Sequence, residues 1–522
     1  VAHPAVLDRR IRDLLLIALT GLIPAVLALG ITVEMPHTSL LLVLAIILGA
    51  LGVVALMVSS RLEVTVAILA FYLLLLDGPV KLAIGSHETT AAVPNVLVVA
   101  VCVGALMRLV VRRERVVLPP LSGWVLAFVG VVAIEAFNPH TEGMLKILAG
   151  FRQQLEWVPF FFFGYLLMRS KKRFRQFFLI VGVAALANGV VSAYQTELSP
   201  AQLASWGPGY HLLVYPSGAI TGSGRTYTSE GEARVRPPAL GSDEGFGGGV
   251  GVLALPFALA LFATWRWPRR WLAVLLGLGA LLGILTSLGR SQVIAGGIVM
   301  LSFAVLASLA GHRVSRRALG SILAVAVLAI PPGVLVISIL RPGTFSRYES
   351  IAGTKLAEAP GYKEGARSLL THELSVNPFG VGLGTSGPTV NFGGKSSYVE
   401  QFRGISSETQ YNFLANELGV PGVLLWLVLS VYMILFFVRG MPRVGDGDLA
   451  IYLAGAFAPF IALFIGGFSG ESSVSSAQGP YFWFAIGIAA YWFAGPGRHR
   501  SLMRRVNAVN AVGASSTIHA VA

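Results

Sequence analysis

The chain has 522 residues, of which 55% are hydrophobic and 12% charged, with a mean hydropathy of +0.73. Soluble domains carry about 25% charged residues, so a string of roughly three or four soluble domains, which the length alone would allow, is excluded. The single Cys102 lies in an apolar run, which leaves no intramolecular disulfide and no cysteine-built metal site.

Apolar runs of about 20 residues recur along the chain, the length a helix needs to cross the ~30 Å hydrocarbon core. They predict an all-α polytopic membrane protein. About fourteen spans are expected, starting near Leu14, Ser39, Val64, Pro94, Val117, Gln153, Phe174, Glu244, Arg270, Ser291, Leu319, Glu408, Leu449 and Tyr481. The third and last are short or glycine-flanked, which makes the range twelve to fourteen. Arg9, Arg10 and Arg12 resemble the start of a signal peptide. No small-x-small cleavage pattern follows, and further spans do, so the first span is read as a retained helix.

With the N-terminus in the cytoplasm, most Lys and Arg fall on one set of alternate loops and most Asp and Glu on the other. The net charge of +14 is therefore a topology signal rather than a nucleic-acid footprint. Fourteen spans put both termini in the cytoplasm of a multi-pass cell-membrane protein. The chain is read as one integral membrane domain in contact with membrane lipids. It comprises N-terminal helices (1–195), a first extracytoplasmic loop (196–243), central helices (244–341), a second extracytoplasmic loop (342–407), C-terminal helices (408–495) and a cytoplasmic tail (496–522).

Ionisable groups in a membrane are costly and point to function. Glu417 is the only acid expected deep in a helix, and no Asp/Glu/His relay is expected across the bilayer. Among the outward arginines, Arg290 sits in a very short turn, Ser287-Leu288-Gly289-Arg290-Ser291-Gln292, where a guanidinium at the membrane surface could hold a lipid-borne phosphate by a two-pronged fork. Arg236 precedes a span behind Pro237-Pro238, with the same choice between solvation and phosphate binding. The Asp243-Glu244 pair answers a helix dipole better than it suits a metal, and no metal site is expected.

The stretch Asn377-Pro378-Phe379-Gly380-Val381-Gly382-Leu383-Gly384-Thr385 alternates glycine with apolar residues. It lacks the Gly-Lys-Ser/Thr of a phosphate-cradling loop; its three glycines at period two allow a tightly folded backbone close to another segment, which by itself specifies little. Ser407 as N-cap with Gln410 three residues on predicts the start of a helix. Its period puts Glu408, Asn412 and Asn416 near one face with Tyr411 adjacent. Glu408 is either a carboxylate answering the helix dipole or a general base at the membrane surface.

These segments resemble the O-antigen ligase and polymerase family of bacterial envelope glycosyltransferases. The Asn-Pro-Phe-Gly-Val-Gly-Leu-Gly stretch, the polar helix entry after it, and Asn416-Glu417-Leu418-Gly419-Val420-Pro421-Gly422 carry the resemblance, which covers about Arg234 to Phe436. It implies a GT-C-like fold, inverting and metal-independent chemistry without a cofactor, and a glycan on polyprenyl diphosphate as substrate. A flippase and a chain-length regulator are the implied partners. It further implies that Glu408 and Arg290 are catalytic and that Arg236, Arg347, Tyr411 and Asn412 bind substrate. Family ligases carry His-Asn where this chain has Glu408-Thr409, which favours polymerase over ligase. The alternatives are a transporter or flippase of lipid-linked glycans, a peptidoglycan polymerase of the shape, elongation, division and sporulation family, and a structural scaffold.

Overall fold

The computed structural model describes residues 52–57, 59, 61–84, 93–112, 118–141, 143–215, 226–229, 232–311, 348, 370–387, 409–468, 470 and 477–497. They are mostly helical. In chain order the helices are α1 (Leu62–Phe71), α2 (Asp77–Ile84), α3 (Val93–Arg112), α4 (Ser122–Glu135), α5 (Met144–Leu155), α6 (Phe160–Leu167), α7 (Lys171–Glu197), α8 (Pro200–Ala204), α9 (Pro208–Val214), α10 (Phe246–Thr264), α11 (Arg270–Thr286), α12 (Arg290–Leu309), α13 (Gln410–Gly440), α14 (Gly447–Gly466) and α15 (Gly479–Ala489). A π-helical turn, Tyr72–Leu76, precedes α2. Among the described residues, six helical stretches are long and apolar enough to cross a membrane: Leu62–Ala83, Lys171–Glu197, Phe246–Thr264, Arg290–Leu309, Gln410–Arg443 and Gly447–Gly466. The spans expected to start near Leu14, Ser39 and Leu319 lie outside the described residues.

The chain divides into two units, Val1–Ala70 with Glu88–Val117, and Phe71–His87 with Leu118–Ala522. In the first, Gly104 of α3 lies against the backbone of Met57. The second holds every site candidate. At its centre α10 is buried from Phe246 to Leu261, on all faces, as its unbroken apolar sequence requires. It packs between α7 and α11 and also against α12 and α14. The approach is close because Gly251 of α10 meets the Ala280 carbonyl of α11, and Gly279 of α11 meets Leu186 of α7. Small residues let membrane helices pack backbone to backbone, where dispersion replaces the hydrophobic drive.

Two departures from the sequence expectation concern local chemistry. The apolar run near Gln153 is divided into α5 and α6 by a turn ending at Pro159, whose ring removes a backbone donor. The loop 196–243 carries α8, α9 and a two-stranded antiparallel hairpin, β1 (Thr226–Ser229) with β2 (Glu232–Val235), which adds a little β-structure to the helical fold.

The second unit has two distinguishable ends. At one, Lys171 Nζ at the start of α7 bonds Asp446 (2.9 Å) just before α14, and Arg175 bonds Tyr452, whose hydroxyl meets Thr264 Oγ1 at the end of α10 (2.7 Å). At the opposite end lie the start of α10, the turn between α11 and α12, and the end of α14. The start of α13 joins them, since the Gln410 N–H donates to the carbonyls of Gly467 and Gly470, both at 3.1 Å. Arg290 and Asn412 thus belong to the same end of the bundle.

Candidate functional site

The approach to α10 is pinned by side-chain amides of α7. Gln195 accepts the Ala239 N–H (2.7 Å) and donates to the Ala239 carbonyl (3.1 Å). Asn188 accepts the Leu240 N–H and donates to Leu74 O in the π turn. This clamp holds Arg236, which is half-buried and pairs with Glu244 Oε1 at 3.5 Å. Glu244 therefore answers a guanidinium as well as a helix end.

α11 stops at Thr286, and Ser287 Oγ donates to Ile284 O while accepting the Gly289 N–H. Leu288 takes a left-handed backbone (φ 54°), turning the chain so that α12 begins at Arg290. A Cβ on Gly248 would fall 2.6 Å from Ser287 Oγ and 2.9 Å from Gln292 Cγ. The glycine-rich start of α10 and the start of α12 thus touch. Helix starts carry unsatisfied N–H groups and positive dipole ends. Arg290 is exposed beside them, and among the described residues no carboxylate pairs with it. An exposed guanidinium at two helix N-termini is suited to an anion.

The second constellation is built by the two sequence motifs, which bond each other. α13 breaks at Gly419, whose φ of 59° and ψ of −156° only glycine adopts readily. The Val381 N–H donates to Asn416 O (2.6 Å) and the Val420 N–H to Pro378 O (2.8 Å), so the 378–381 loop takes up backbone groups that the break releases. Gly380, Gly382 and Gly384 all have positive φ, and each lies against another segment: the Glu417–Gly419 backbone, Thr141 and Lys146 respectively. The close approach that these glycines allow is found.

Glu417 is fully buried at this junction. Its Oε1 accepts Gln153 Nε2 (3.1 Å) and the Gly384 N–H (3.1 Å), its Oε2 accepts Gln154 Nε2 (2.7 Å), and the Ser386 backbone adds a further bond. Lys146, 1% exposed, donates from Nζ to the Gly384 carbonyl (3.3 Å). The Gly384 peptide is thus held between a buried anion and a buried cation. Sequence reasoning missed Lys146, Gln153 and Gln154, although polar residues at i, i+7 and i+8 of an apolar helix mark one buried face.

The helix entry also differs in register. Its N-cap is Thr409, whose Oγ1 accepts the Asn412 N–H at 3.3 Å, two residues beyond the expected Ser407. Tyr411 is buried, its hydroxyl donating to Phe464 O (3.1 Å) and its ring stacked on Phe468 at 4.0 Å. Asn412 is 0% exposed, and neither its Nδ2 nor its Oδ1 has a hydrogen-bond partner. Glu408 and Arg347 lie outside the described residues.

A further buried charge pair was not expected. Asp77, 0% exposed within the Leu62–Ala83 stretch, bonds Lys81 Nζ at 2.7 Å, and Glu135 is 7% exposed at the end of α4. Glu417 is therefore not the only acid buried in an apolar helix. The i,i+4 spacing of Asp77 and Lys81 was the available signal.

The sequence matches no protein-family model and no curated protein.

Proposed function

We propose that this protein is an inverting, metal-independent glycosyltransferase of the cell membrane, acting at the extracytoplasmic face on glycans carried by polyprenyl diphosphate, as a polymerase in preference to a ligase. The reading takes the fold as GT-C-like with fourteen spans and both termini cytoplasmic. It puts the Arg290 end of the bundle outside, because the other described end carries Lys171, Lys172, Arg173, Arg266, Arg269, Arg270, Arg439 and Arg443.

The observation that carries the proposal is the Arg290 turn, an exposed guanidinium with no carboxylate partner among the described residues, set at two helix starts. In the reaction the anomeric C1–O bond to the diphosphate breaks and a C1–O bond to the acceptor hydroxyl forms on the opposite face. The hydroxyl proton passes to the Glu408 carboxylate, and the lipid diphosphate leaves with the extra negative charge. Fixed cations aimed at that developing charge are a major catalytic effect. Arg290 would supply the largest part, with Arg347 assisting. Arg236 is the weaker donor, since its charge is already engaged by Glu244.

A second reading, transport of lipid-linked glycans, is favoured by the Asp77–Lys81 pair, because buried charges in membrane helices often mark a pathway. The deciding experiment is mass spectrometry of polyprenyl-diphosphate-linked glycans in a deletion strain. Single repeat units accumulated on the outer face support a polymerase, and long stranded chains a ligase. Single units confined to the cytoplasmic face, where an added glycosidase cannot reach them in spheroplasts, would mean transport. An unchanged pool with normal surface glycan would refute both.

A further inference from the structure

The start of α13 and the loop bound to it hold three side chains with buried polar atoms that the described residues leave unbonded. Asn412 is 0% exposed with both amide atoms unpartnered, Asn416 one turn later has an unpartnered Oδ1, and Ser386, 2% exposed on the loop bound to Glu417, has an unpartnered Oγ. Asn412 and Asn416 share a helix face. The great majority of buried side-chain polar atoms in folded proteins are bonded, so several orphans on one helix turn and its adjoining loop need an explanation. Packing does not provide it, since a leucine of similar size would fill the Asn412 site without leaving a donor and an acceptor dry.

We infer that Asn412, Asn416 and Ser386 form a subsite for the neutral hydroxyls of a sugar ring. The inference rests on the transferase reading and names the part of the glycan that this helix takes. An amide presents two donors and two acceptor lone pairs without charge, and a sugar hydroxyl is both donor and acceptor. A phosphate or a uronic acid carboxylate offers only acceptors, and would leave the Asn412 and Asn416 amide oxygens unmatched. The division of labour follows: charge is handled at Arg290, and sugar identity at the amides of α13. The orphaned groups are then a cost held in the free protein and released when the sugar binds.

The test uses full-length protein in detergent and in cells. Asn412→Leu should melt at or above the wild-type temperature, because it removes two unbonded polar atoms. It should also lower polymer formation by about tenfold or more, the worth of a hydrogen bond or two. Stabilisation of the wild type by free glucose, galactose or mannose should vanish in Asn412→Leu, while any stabilisation by inorganic diphosphate persists there and is lost in Arg290→Ala. Ser386→Ala, which hardly changes volume, should melt like the wild type and make less polymer.

A clear drop in melting temperature in both variants would mean the groups are bonded in the folded protein, and would overturn the inference. So would full polymer production by Asn412→Leu. If instead the deletion strain shows an unchanged lipid-linked pool, the transferase reading fails, and loss of the monosaccharide effect in Asn412→Leu still reports on the subsite itself.

Discussion

Glu417 offers the sharpest test of how the site is held together. Replacing it by alanine strips acceptors from Gln153 Nε2, Gln154 Nε2 and the Gly384 N–H, at 3.1, 2.7 and 3.1 Å, and from the Ser386 backbone. A buried donor left unbonded costs about 1–3 kcal/mol. Four of them would cost about 4–12 kcal/mol with no relaxation, but the glutamine side chains can turn, so about 3–5 kcal/mol is expected, the range for breaking a buried charged network. Glutamine at 417 is milder. With its oxygen in the Oε1 position it keeps the bonds to Gln153 and Gly384 and meets Gln154 amide to amide, a loss of about 1–3 kcal/mol. It also removes the anion that faces Lys146 across the Gly384 peptide. The assay is thermal unfolding in detergent, with the expected order wild type, Glu417→Gln, Glu417→Ala. An alanine variant within about 1 kcal/mol of wild type would refute the clamp, because no buried acceptor of four donors is removed so cheaply.

Other substitutions probe the remaining parts. Arg290→Ala and Glu408→Gln should each abolish polymer formation with normal membrane insertion. Arg290→Lys should retain partial activity, since Lys keeps the charge and loses the fork, and wild-type polymer in either null variant would remove that residue from the mechanism. Gly251→Val should prevent stable packing of α10 on α11, because its side chain would occupy the Ala280 carbonyl position; undiminished yield and melting temperature would contradict that contact. Asp77→Asn alone should lose about 3–5 kcal/mol by stranding Lys81, whereas Asp77→Asn with Lys81→Met should recover most of it, and equal losses in the single and double variants would show that the pair is not coupled.

Hydropathy made the helical class readable, since every span-length helix in the described residues arises from a run counted in the sequence. The division of the run near Gln153 was less visible, because apolar residues flank Pro159 on both sides and only the proline marks the turn. The N-cap shows what local pattern leaves open. Ser407-x-x-Gln410 and Thr409-x-x-Asn412 both offer a hydroxyl three residues before a polar side chain. The fold selects the second, and the Gln410 N–H goes to the Gly467 and Gly470 carbonyls, partners that spacing along the chain cannot reveal. The same holds for the two motifs. Each was visible alone, but their bonds from Val381 to Asn416 and from Val420 to Pro378 depend on tertiary structure. Asn412 was singled out for its helix face, and the lack of a partner for its side-chain amide among the described residues became apparent only with the surroundings in place.

The two constellations solve one physical problem differently. A membrane protein that must bind a polar head group at the edge of the bilayer needs free backbone or side-chain polarity there, yet unsatisfied polar groups in an apolar setting are expensive. At α10 and α12 two helices begin in contact, Gly248 against Ser287 and Gln292, so that two positive dipole ends lie together beside the exposed Arg290. At α13 the solution is to break a helix at Gly419 and spend the released groups on the 378–381 loop, which locks Glu417 and leaves the face of Asn412 and Asn416 uncommitted. The first arrangement stays charged and exposed; the second stays neutral and buried. A lipid-linked glycan has these two parts in sequence, an anionic diphosphate followed by neutral rings. Under the proposed function, Arg290 and Asn412, both at one end of the bundle, would serve these two parts.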